Sequence, residues 1–113
     1  VNQQRHVVNE IVEFGTPFGV GLECGSKPEL MAVLGLNEST GHVIICNGYK
    51  DEEFMRLALI GQQLGHRVIV VLEQLNEFDV LLKIANEMGV EPNVGVRIKL
   101  ATDGSGRWAK SGG

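Results

Sequence analysis

Three short clusters and one lone arginine carry the side chains that could do chemistry. G-L-E-C-G-S-K supplies Glu23, Cys24 and Ser26. C-N-G-Y-K-D supplies Asn47, Tyr49 and Lys50, and V-V-L-E ends on Glu73. Arg97, followed by Lys99, closes the apolar run V-G-V-R-I. A carboxylate such as Glu23 can hold a proton or accept hydrogen bonds from the loop that follows it. A guanidinium inside an apolar strand needs an anionic or acceptor partner, because an unpaired buried charge is very costly. For Arg97 that partner is either a bound ligand or a structural carboxylate, Glu23 or Glu73. Cys24 and Cys46 have no adjacent base and read as small core residues rather than nucleophiles. No metal-ligand cluster, nucleophile elbow or P-loop occurs, and G-S-G at 104 is too short for a dinucleotide fingerprint.

These residues gain meaning from the elements that must position them. Four β-rich apolar runs, at Phe18–Leu22, Val43–Asn47, Val68–Leu72 and Val94–Ile98, start about 25 residues apart. The middle two are near-continuous Val and Ile, the pattern of strands buried on both faces. Helical spacing fills the gaps. Val7, Val8, Ile11, Val12 and Phe14 repeat in this way, as do Phe54, Leu57, Ala58 and Leu64, and Phe78, Leu81, Leu82, Ala85 and Met88. Ser26 with Glu29 forms a capping box with Pro28 in the first turn; Asp51 can cap the third helix, and Asn76 with Asp79 the fourth. Gly15, Gly65 and Gly89 sit where helices should stop. His42 and His66 precede strands and are expected at the surface of the opposite end.

The resulting order, α-β-α-β-α-β-α-β, means a parallel sheet with right-handed crossovers. Two architectures satisfy it, a doubly wound sheet and a (β/α)8 barrel, and both place ligands at the strand carboxyl ends. Four strands beginning on a helix fit about half of a barrel of roughly 250 residues better than a complete five-stranded sheet. The expected fold is α/β, a partial (β/α)8 TIM-type barrel of about four βα units over residues 1–102, with a Gly/Ser-rich loop at 103–113. The chain opens on V-N-Q-Q without Met and closes on S-G-G, so it reads as a piece of something longer.

Composition narrows the function classes. Of the 113 residues 43% are hydrophobic and 21% charged, which is globular composition, and the net charge is −4. An acidic chain without a basic cluster is a poor partner for nucleic acid or anionic lipid. Its apolar runs fall far short of the roughly 20 residues that span a bilayer. Two cysteines without a CxxC pair, and no secretory leader pattern, point to a reducing cytoplasmic setting.

Four phrases add a family resemblance: V-N-Q-Q-R-H-V-V, G-L-E-C-G-S-K-P-E-L, I-I-C-N-G-Y-K-D and G-S-G-R-W-A-K-S-G-G. Together they resemble the bacterial-type biosynthetic arginine decarboxylases, pyridoxal-phosphate enzymes of the alanine racemase-like barrel class. The resemblance runs essentially from Val1 to Gly113. It implies decarboxylation of L-arginine to agmatine for polyamine synthesis, with pyridoxal 5'-phosphate as cofactor, magnesium associated, and a homo-oligomer with active sites across the subunit interface. It also implies that the imine lysine immediately precedes Val1, so no catalytic residue of that kind is present and neither Lys27 nor Lys50 replaces it. By the same resemblance Glu23 lies beside cofactor and lysine, Arg97 contacts the cofactor's phenolic oxygen, and Asn47 occupies the turn after the family's third strand. The remaining readings are a related decarboxylase of another basic amino acid and a free-standing flavodoxin-like ligand-binding module. The latter lacks a phosphate loop or acidic phospho-acceptor at a strand end.

Overall fold

In the computed structural model, which describes residues 4–36 and 41–101, four parallel strands lie side by side in chain order. They are β1 (Leu22–Cys24), β2 (Val43–Cys46), β3 (Arg67–Leu72) and β4 (Asn93–Val96). The helices are α1 (Arg5–Gly15), α2 (Lys27–Leu36), α3 (Glu52–Gln63) and α4 (Leu75–Met88). The sheet contains no switch point, as the half-barrel requires and a doubly wound sheet would not allow. The 103–113 loop lies outside the described residues.

Strand alternation divides the sheet into two faces. One carries Cys24, Ile44, Cys46, Val68, Val70 and Leu72, all buried beneath α2, α3 and α4 with Leu30, Met55, Leu59, Leu81 and Ile84. The other carries the in-register row Glu23, Ile45, Ile69 and Asn93. This second face is the concave side of a half-barrel, and no described helix covers it.

Local chemistry sets the element ends. The Asp51 carboxylate accepts the Phe54 N–H at 2.8 Å and starts α3. At α2, Ser26 Oγ accepts the Glu29 N–H at 3.4 Å, and the Glu29 carboxylate reaches back to the Gly25 N–H at 2.6 Å. For α4 the expected Asn76–Asp79 box is two residues out of register. The N-cap is Gln74, not Asn76, and Glu77 reaches back to the Gln74 N–H.

The structure corrects three further expectations. The first strand begins at Leu22, not Phe18: Thr16–Phe18 form a 3-10 turn around Pro17, closed by Gly19 at φ 71°. Phe18 is left exposed. His66 is buried, and its Nδ1 has no hydrogen-bond partner, whereas the partly buried His42 donates from Nδ1 to the Val20 carbonyl at 3.1 Å. Finally, Val94, Val96 and Ile98 are exposed rather than buried, Val96 at 71%, because β4 is an edge strand and no described helix follows it.

One glycine is sterically required at the functional end. Gly48 has φ 77°, and a Cβ there would lie 2.5 Å from the Gly25 carbonyl oxygen. Gly48→Ala should therefore lower stability by about 1–2 kcal/mol from the left-handed backbone alone, and by more once Gly25 must move. An unchanged denaturation midpoint would contradict this account of the turn.

Candidate functional site

At the carboxyl ends of the strands the backbone ladder continues past the regular elements. The Asn47 N–H donates to the Cys24 carbonyl at 2.9 Å and the Arg97 N–H to the Leu72 carbonyl at 3.1 Å. Alternation then turns Asn47, Glu73 and Arg97 to the same concave face as Glu23. Asn47 Nδ2 donates to Glu23 Oε1 at 3.2 Å. The Gly48 N–H donates to Glu73 Oε1 at 2.9 Å, and Arg97 Nη1 lies 3.3 Å from the same oxygen. Four residues from Glu23 to Arg97, spread over 74 positions of sequence, thus form two linked pairs along one rim.

The structure pairs Glu23 with Asn47 and Arg97 with Glu73, the second of the two structural carboxylates considered for the arginine, and Gly48 joins the two pairs. It also changes the argument for Arg97. The arginine is not enclosed: its side chain is 60% exposed, against 26% for Glu73. The charge therefore needs no buried partner. One guanidinium nitrogen, Nη1, rests on Glu73.

Electrostatics make Glu73 a stable anion. The Gly48 N–H, followed by Arg97, holds its carboxyl below the usual carboxylate range despite some desolvation. Because the folded value lies below the unfolded one, folding favours the deprotonated form. The resulting stability is present above the ordinary carboxylate pKa and is lost as pH falls through the depressed one. Glu73→Gln should accordingly melt below the parent at neutral pH and converge with it well below about pH 4.3, the ordinary glutamate value. A constant gap in melting temperature across that range would rule out an ionised Glu73 as the cause.

The cysteines take their expected core role. Cys24 and Cys46 pair in register with Sγ atoms 3.6 Å apart, both fully buried on the helix-covered face. Cys24 donates its S–H to Cys46, which together with burial pushes the Cys24 thiol up and away from reactivity. Lys27 is engaged by Glu53. Lys50 is buried with Glu77, an arrangement the sequence did not suggest.

Comparison with known proteins identifies the family. The sequence profile of the family described as "Pyridoxal-dependent decarboxylase, pyridoxal binding domain" matches residues 1–113. The chain is 51% identical over 113 residues to the biosynthetic arginine decarboxylase of Bacteroides thetaiotaomicron and 53% identical over 116 residues to that of Vibrio cholerae. Each alignment covers 100% of this chain but 18% of the relative, so the chain spans about a fifth of their length. The crystal structure of the biosynthetic arginine decarboxylase from Campylobacter jejuni superposes with a TM-score of 0.81 at 34% identity, covering 89% of this chain and 17% of that one. A chain-order parallel sheet, polar strand ends on its concave face and a profile match along the whole length lead to one assignment: the chain belongs to the pyridoxal-dependent decarboxylases, within their pyridoxal-binding domain.

Proposed function

We propose that this chain forms part of a pyridoxal-phosphate-dependent arginine decarboxylase that converts L-arginine to agmatine and carbon dioxide for polyamine synthesis. The observation that carries the reading is identity above one half, along the entire chain, to proteins named for that activity. The concave face suits the cofactor in its donor chemistry. It offers apolar Ile45, Ile69 and Val71 to a ring, with Glu23, Asn47, Glu73 and Arg97 at the rim for the ring's polar substituents. When bound, pyridoxal phosphate supplies an electron sink for the pair released at the substrate's α-carbon as carbon dioxide leaves.

The chain's own residues then have distinct tasks. Asn47 donates to the Glu23 carboxylate and orients it, and in this reading Glu23 would hold or accept a proton for the bound cofactor. Glu73, ionised at neutral pH, holds Arg97 at the rim. Arg97 keeps N–H donors for an anionic oxygen of the bound group, a charge-assisted contact of the stronger kind. Magnesium enters this reading only through the family resemblance. Among the described residues no cluster of three or more His, Cys, Asp or Glu could hold a metal, so no role for the ion follows from this region.

The same reading takes the enzyme to be a cytoplasmic homo-oligomer acting on a small molecule and not on nucleic acid. Among the described residues no helix is long and apolar enough to cross a membrane. The test is to express the longer reading frame containing this chain, load it with pyridoxal phosphate and measure carbon dioxide release. L-Arginine, L-ornithine and L-lysine are compared as substrates. Preference for arginine is expected. Turnover confined to another amino acid would establish the related-decarboxylase alternative, and none on any of them would overturn the reading.

A further inference from the structure

Behind the polar rim lies a buried ion pair with no part in the chemistry just described. The Lys50 side chain is 0% exposed and that of Glu77 2%, with Nζ 3.9 Å from Oε2. Stability alone is a weak reason for charges in such a place. Desolvation offsets the attraction, and apolar replacements of buried pairs are often as stable. What the charges do here is hold two loops. Glu77 accepts the Lys50 N–H at 3.1 Å and the Glu73 N–H at 2.8 Å, which ties the turn after β2 to the turn after β3. The Lys50 ammonium donates to the Gly48 carbonyl. The N–H of Gly48 in turn holds the Glu73 carboxylate on which Arg97 rests.

We infer that Lys50 and Glu77 are positioning residues of the strand-end site, acting on Arg97 through Gly48 and Glu73. Both peptide groups flanking Gly48 are held, the N–H by Glu73 and the C=O by Lys50. Glu73 is held from both ends, its N–H by Glu77 and its carboxylate by Gly48. A guanidinium on an exposed rim has many rotamers of similar energy, and this chain of contacts selects one of them. The inference rests on the proposed role of the rim as the cofactor site.

The test uses the full-length enzyme and two readouts, the affinity of the apoprotein for pyridoxal phosphate and turnover of the folded holoenzyme. Glu77→Gln retains the shape but removes the counter-charge and replaces one of the two accepting oxygens with an amide donor, which then faces either the Lys50 or the Glu73 N–H. It should weaken cofactor affinity and lower kcat by at least about tenfold, since small displacements at a reacting centre are costly. In an Arg97→Ala background the same change should add less than about twofold, because residues acting through one another are not additive. If Glu77→Gln does not fold, the neutral pair Lys50→Met with Glu77→Gln is measured by the same criteria. Parental affinity and turnover in the folded fraction, or full additivity with Arg97→Ala, would overturn the positioning role alone. Arg97→Ala leaving both readouts at parental values would overturn the site reading along with it.

Discussion

Replacing Arg97 with alanine in the cofactor-loaded, full-length enzyme is expected to lower turnover with L-arginine by more than about tenfold, with little change in melting temperature. The size follows from the loss of a charge-assisted hydrogen bond, about 1.5–3 kcal/mol, where each 1.4 kcal/mol is a factor of ten. The small effect on stability follows from the structure. Arg97 is 60% exposed and its contact with Glu73 is a rim ion pair, and exposed pairs contribute about 0–1 kcal/mol. Activity and stability should therefore separate. Arg97→Lys should rescue only in part, because an ammonium cannot rest on Glu73 and also present a planar fork to a second oxygen. Turnover and the cofactor's absorbance, measured together on the folded fraction, check this. An unchanged turnover would remove Arg97 from the site.

Residues 1–113 produced alone should form no agmatine, show no lysine-bound absorbance with pyridoxal phosphate, and self-associate. Of the described lysines near the strand ends, Lys27 and Lys50 are committed to Glu53 and Glu77 and Lys99 lies beyond β4, and by the family resemblance none of the three is the imine lysine. Among the described residues the sheet has two unpaired edges, β1 and β4. An open strand edge is a template for pairing with another chain. Its uncovered concave face presents Ile45, Ile69 and Val71, and beyond β4 Ile98 is 78% exposed. Parallel sheets are ordinarily covered on both faces. Light scattering after size-exclusion chromatography reads the association. A monodisperse monomer would contradict that part, and measurable agmatine would refute the loss of activity.

Much of the architecture depends on short-range rules and was legible in order along the chain. Near-continuous Val and Ile at 43–46 and 68–72 can satisfy burial on two faces only in a parallel sheet. Asp51 and Ser26 start helices through bonds that span three residues. Strict strand–helix alternation then makes the sheet parallel and places Glu23, Asn47 and Arg97 at one end, whereas the chain order of the strands is seen only in the structure. Where two local signals competed, sequence was not enough. N-x-x-D and Q-x-x-E overlap at the start of α4, and only the buried hub at Glu77 selects the second. Proline at 17 and glycine at 19 make a turn of what composition alone reads as strand.

Burial of charge was decided entirely by tertiary structure, because it depends on what covers a residue and not on its neighbours in sequence. Arg97, in an apolar run, lies open because its strand is an edge. Lys50, in a polar turn, is enclosed because a carboxylate 27 residues away folds over it. Chemical type and strand phase determined which side chains reach the site; the packing of one βα turn against the next decided which of them are held and which remain free to bind.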